Sequence, residues 1–197
     1  MPEPQSAQPG PVRSVPPRLE KQRAALVLID MQERFRDLID DGPAVTAACS
    51  RLVRFCRQLE IPVLVTEHYS RGLGVTITEL RQLFDPFQPI EKIAFSCCGS
   101  GEFNDALDRT GRDQIVLCGI EAHVCVYQTA FDLLRKGKQV AVAADAVTAR
   151  SPVNRDLGLR RMSELGVQTM GVEMIMFEIL RQAKTEEFQA VAPILKE

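Results

Sequence analysis

With 197 residues, of which 45% are hydrophobic and 25% charged, the chain has a globular composition and the length of one large domain, enough to bury roughly 70% of its unfolded surface. A net charge of -2 gives no general attraction to nucleic acid or anionic lipid. No apolar run approaches the roughly 18 residues of a spanning helix, and the N-terminus lacks the apolar region of a secretory signal, so the expectation is a cytoplasmic protein with no nucleic-acid or membrane partner.

In chain order, residues 1–23 come first and hold six of the 12 prolines among Gln, Ser and Arg, the composition of an extended arm without a core of its own. Short β-rich apolar runs then alternate with stretches of helical periodicity. "AALVLID" (24–30) precedes the helical "AVTAACSRLVRFCRQL" (44–59), and "PVLVTE" (62–67) follows. "IVLCGI" (115–120) leads into a helix from about Val124 to Lys136 closed by Gly137, and "QVAVAADA" (139–146) into "NRDLGLRRMSEL" (154–165) closed by Gly166. "VQTM" (167–170), a helix from about 172 and a terminal segment docked by Phe188, Val191, Ile194 and Leu195 complete the series. Runs apolar on both faces, alternating with helices, predict a doubly wound α/β fold: a parallel sheet covered on both sides, in one domain over 24–197.

In such a sheet ligands bind beyond the carboxyl ends of the strands, so residues just after strands carry the interest. Asp30 ends the first strand and is either a cap or a functional carboxylate. Cys125 follows "IVLCGI" at the expected start of a helix, where the dipole lowers a thiol's pKa; taken alone, it reads first as a buried structural cysteine. Lys92, between Ile90 and Ile93, is either a snorkelling surface lysine or a buried ammonium. Together a carboxylate, an ammonium and a thiol make a workable set for nucleophilic catalysis. The six cysteines show no disulfide-framework spacing and are read as reduced. With two histidines and no CxxC pair, neither a structural zinc nor a catalytic metal is expected, and the absence of GxGxxG implies no nucleotide cofactor.

The motifs "LVLIDMQERF", "IEKIAFSC" and "GIEAHVCVYQTAFDLL" resemble those of the isochorismatase-like cysteine hydrolases, from about residue 24 to the C-terminus. "TEHYSRGLGVTITEL" and "FQAVAPILKE" look like the small isochorismatase-domain-containing subfamily, whose substrate is unassigned. The resemblance implies a Rossmann-type three-layer fold around a mostly parallel six-stranded sheet. It also implies Asp30 as general base and acid, Lys92 as electrostatic partner and Cys125 as nucleophile. A non-proline cis peptide between Ile120 and Glu121 and an oxyanion hole from the N–H groups of Glu121 and Cys125 come with it. Phe35, His68, Tyr69 and His123 are expected around the substrate, on a pocket set by loops 31–42, 67–78 and 147–154. The second histidine of metal-binding members is missing from "EHYSRGLG".

The function so implied is cofactor-independent hydrolysis of a small amide or ureido substrate through an acyl-cysteine, by a homo-oligomer, dimeric or larger. A scaffold protein on the same fold, and a thiol redox sensor with Cys118 or Cys98 as resolving partner, are the rival readings.

Overall fold

The computed structural model describes residues 15–197, so the first 14 residues of the proline-rich arm lie outside the described residues. The chain runs through β1 (Ala24–Ile29), α1 (Gly42–Gln58), β2 (Val63–His68), the short α2 (Ser70–Leu73) and α3 (Thr78–Arg81), β3 (Ile90–Lys92) and α4 (Gly101–Arg109). It continues through β4 (Gln114–Ile120), α5 (Tyr127–Arg135), β5 (Gln139–Thr148), α6 (Pro152–Glu164), β6 (Gln168–Met170), α7 (Val172–Leu180) and α8 (Glu186–Leu195).

The six strands form one parallel sheet in the order β3-β2-β1-β4-β5-β6. β1 and β4 are buried at every position because they lie at its centre, with helices over both faces. The period of two sends alternate residues to separate cores. Leu26 and Leu28 of β1 face the core shared with α1, α7 and α8, whereas Ala25, Val27 and Ile29 face the core shared with α4, α5 and α6. This is the doubly wound three-layer architecture expected. β3, only three residues long, carries no apolar run that would announce it.

Residues 15–23 lie on the chain's own body. Gln139 donates to the Pro17 carbonyl at 3.0 Å, and the Leu19 N–H donates to Glu178 at 2.8 Å. Leu19 is buried in the α1-side core, so the arm adds to a core that its composition did not suggest it shared.

From β1 the chain moves outward to β2 and β3, then returns to place β4 on the other side of β1. This reversal opens a crevice at the carboxyl ends of the two central strands. Gly119 permits their close approach: it has φ +109°, and a Cβ there would lie 2.1 Å from the Ile29 carbonyl oxygen.

Candidate active site

Asp30 is the first residue beyond β1 and takes a left-handed conformation, φ 52°, which a short polar side chain tolerates. That turn leaves its carboxylate buried at the head of the crevice, held from two sides. The Thr66 hydroxyl on β2 donates to Oδ1 at 2.7 Å, and Lys92, the last residue of β3, donates from Nζ to Oδ2 at 2.6 Å. The same ammonium donates to the carbonyls of Ala94 (3.2 Å) and Phe95 (3.1 Å), which accounts for its three protons. Burial draws Lys92 down, but Asp30 and the neighbouring Cys97 and Cys125 sulfurs outweigh it, so the ammonium stays charged. Lys92 is thus a buried, fully bonded cation and not a snorkelling surface lysine.

Cys125 reaches the same point from β4. The chain passes through a cis peptide between Ile120 and Glu121, then a single π turn, Ala122–Val126, before α5 begins at Tyr127. The sequence placed a regular helix from Val124; the wider turn intervenes. α6 braces it: a Cβ on Gly158 would sit 2.8 Å from the backbone of Ala122 and His123, so only glycine allows this contact.

The expectation that a helix mouth lowers the Cys125 pKa is corrected. Burial, and then the Asp30 carboxylate, push the thiol far above its ordinary value, with Lys92 opposing them. A pKa so raised favours the protonated sulfur, which lies beside the Asp30 carboxylate.

Asp30 and Cys125 line a cavity of about 480 Å³, with Lys92 buried behind Asp30. Its walls are apolar, from Phe35, Leu38, Leu73, Phe95, Ile120 and Val124, while His68, Arg34, Glu121 and Arg150 supply the polar lining. A larger hollow of about 670 Å³ beside β3, under Phe84 and Phe87, carries no thiol or imidazole. The three loops expected to shape the pocket contribute Arg34, Phe35 and Leu38, His68 and Leu73, and Arg150. Phe95, from the loop after β3, was missed.

Phe35 and His68 therefore line the cavity, and Tyr69 and His123 do not. Tyr69 is 51% exposed, turned outward at φ 43°. The His123 Nδ1 is buried without a hydrogen-bond partner among the described residues. His68 stacks on Phe95 with centroids 5.4 Å apart, and burial and then Lys92 hold its imidazole neutral. Gln32 pins it from below, accepting from the His68 N–H at 2.8 Å and donating to the carbonyls of His68 and Gly74.

Glu121 accepts from the Arg150 backbone N–H at 2.9 Å and from its Nε at 3.1 Å. Burial works against this carboxylate, but the Arg150 bonds outweigh it and hold it below the usual range. Glu67 points to the opposite side of β2 from His68, and Thr76 occupies it through N–H (2.7 Å) and hydroxyl (2.8 Å), so the two do not converge as ligands.

Of the proposed resolving thiols, Cys118 faces the α1-side core, with the sheet between it and Cys125. Cys97 is buried beneath the cavity-lining residues, 3.8 Å from the Thr66 hydroxyl that holds Asp30. Thr66 and Gln32 escaped the sequence reading; their signal is a polar residue inside an apolar run, as in "VLVTEH" and "LIDMQ".

An acid, an ammonium and a thiol thus lie together at the carboxyl ends of β1, β3 and β4, and comparison with known proteins gives the family. The Isochorismatase domain family model matches residues 24–174. Isochorismatase domain-containing protein 2 of Danio rerio is 35% identical over 178 residues, spanning 90% of this chain and 89% of the relative. Among solved structures, the MAR1 ribonuclease of Caenorhabditis elegans superposes with a TM-score of 0.86 at 33% identity, covering 92% of this chain and 93% of that one. YcaC from Pseudomonas aeruginosa, with hexane-2,5-diol and covalent acrylamide, gives 0.82 at 26% identity, covering 90% and 91%. The chain belongs to the isochorismatase family, and its fold is that of the isochorismatase-like hydrolases.

Proposed function

We propose that the protein is a cysteine hydrolase that cleaves the C–N bond of a small amide or ureido compound without a cofactor. The observation that carries this reading is the Asp30 carboxylate, paired with the buried Lys92 ammonium, lining one cavity together with the Cys125 thiol.

In the first step Asp30 takes the thiol proton, and the sulfur attacks the substrate carbonyl. Lys92 stabilises the anionic sulfur as it forms. The negative oxygen of the tetrahedral intermediate lies against the N–H groups of Glu121 and Cys125, the oxyanion hole of this reading. Protonated Asp30 then gives its proton to the departing nitrogen, the C–N bond breaks, and an acyl-cysteine remains. Water, deprotonated by Asp30, attacks that thioester; the acid leaves and the proton returns to sulfur. Lys92, its protons all engaged, acts through charge and position.

The covalent acrylamide on the Pseudomonas YcaC supports an electrophile-accepting residue on this fold. Six free thiols support a reducing, cytoplasmic setting, and no helix among the described residues is long and apolar enough to cross a membrane.

The test is intact-mass spectrometry after incubation with a panel of small amides and ureas. An acyl adduct localised to Cys125, absent from Cys125→Ala, is the expected result, with turnover that survives EDTA. Turnover undiminished in Cys125→Ala would refute the mechanism.

A further inference from the structure

The turn that carries Cys125 is wider than regular helix, so its shape depends on what holds it. Glu121 stands at its head and is tied in two directions. Its carbonyl accepts from the N–H groups of Val124 (3.0 Å) and Val126 (3.3 Å), the residues on either side of Cys125. Its carboxylate accepts from the backbone N–H of Arg150 at 2.9 Å, in the loop between β5 and α6. The Glu121 side chain is 8% exposed and that of Arg150 59%. The bond to the backbone N–H is therefore the sheltered part of this pair, and the guanidinium contact the screened part.

Arg150 leads within two residues into α6, and Gly158 of α6 packs against the backbone of Ala122 and His123. These contacts close a ring. It runs from the turn through the Glu121 carboxylate to Arg150, along the first turns of α6, and back through Gly158 to the turn. The ring is fastened to the opposite cavity wall as well. The Asp40 N–H donates to the Ala149 carbonyl at 2.9 Å, and the Thr148 hydroxyl donates to the Asp40 carbonyl at 2.8 Å. Burial opposes the charge on Glu121, but its bonds to Arg150 outweigh burial, so the link that closes the ring is charge-assisted.

We propose that the Glu121 side chain is a positioning residue of the site: its hydrogen bond to the Arg150 N–H closes the ring that holds the turn, and with it the Cys125 sulfur, in place. For catalysis the proposal rests on the reading of Cys125 as nucleophile. Both carboxylate oxygens are engaged by Arg150, so Glu121 acts through the turn.

Hydrogen exchange at neutral pH tests the ring, with the amides of Val124 and Val126 as reporters and those of β1 as the internal reference. Glu121→Ala should speed exchange in the turn about tenfold or more relative to β1, the scale of one hydrogen bond to a charged group. Glu121→Gln keeps an acceptor for the N–H and should restore most of the protection. Arg150→Ala keeps the N–H and should stay within about threefold of the wild type, the scale of an exposed ion pair. Arg150→Pro removes the N–H and should match Glu121→Ala; it decides the matter if Glu121→Ala does not fold. Equal acceleration in the turn and in β1 would mean a loss of general stability and overturn the proposal. Arg150→Ala acting as strongly as Arg150→Pro would overturn it too.

Alkylation by iodoacetamide reads the sulfur itself. Cys125 is 7% exposed, so a loosened turn should uncover it. Glu121→Ala should label about tenfold faster at Cys125, matching the exchange, and Glu121→Gln should stay close to the wild type. Faster exchange with unchanged labelling would show that the turn moves without the sulfur and overturn the positioning role. Neither readout depends on turnover. A protein that passes both and hydrolyses nothing in the amide panel would refute the hydrolase reading and leave the ring standing.

Discussion

Lys92 Nζ lies 2.6 Å from Asp30 Oδ2, and both side chains are closed to solvent. Removing one member of such a pair leaves an uncompensated buried charge, which costs about 3–5 kcal/mol. Lys92→Met should therefore lower stability by about that amount in urea denaturation and abolish turnover. The double variant Asp30→Asn with Lys92→Met should recover much of the stability and none of the activity. Additive losses in the double variant would show that the two groups do not interact.

The Cys125 thiol is raised by burial and by Asp30 and lowered by Lys92, and only the thiolate is alkylated. The resting protein's labelling by iodoacetamide should therefore keep climbing with pH beyond 9, where an ordinary thiol with a pKa of about 8.5 is levelling off. Asp30→Asn removes a contribution that raises the thiol and leaves one that lowers it. Labelling at neutral pH should then speed up while turnover stops. A profile that plateaus near pH 8 in the wild type would contradict the buried, protonated thiol.

Gly158 on α6 presses against the π turn that carries Cys125. Alanine there gains about 1 kcal/mol of helix propensity, but its Cβ would meet backbone at 2.8 Å, and backbone cannot rotate out of the way. Gly158→Ala should keep the circular dichroism of the helices and lose about tenfold or more in kcat, the scale of a small misplacement of reacting groups. Full activity would show that the turn yields without moving the sulfur.

We expect a homo-oligomer in solution. Met174 and Phe177 on α7 remain 58% and 46% exposed, which supports a contact on that helix. Light scattering should give a multiple of the chain mass, reduced by the double substitution Met174→Lys with Phe177→Lys. Deletion of residues 1–14 tests the arm's share in the same contact. A monomeric mass for the wild type would rule the assembly out.

The sequence by itself determined the alternation of strands and helices and the two-sided burial of the sheet. Continuous apolar runs such as "AALVLI" and "QIVLCGI" can satisfy only a strand buried on both faces. It also determined where Asp30 and Cys125 lie relative to strand ends, because period and punctuation fix ends locally. Lys92 was different: β3 is three residues long, and without its pairing to β2, where His68 lies opposite Lys92, a lysine among isoleucines reads as surface. The protonated state of Cys125, the pinning of Asp30 by Thr66, and the exclusion of Tyr69 and His123 from the cavity were decided only by tertiary structure. Each depends on groups tens of residues apart in sequence, and on the burial that sets how strongly they interact; local pattern carries neither distance nor dielectric.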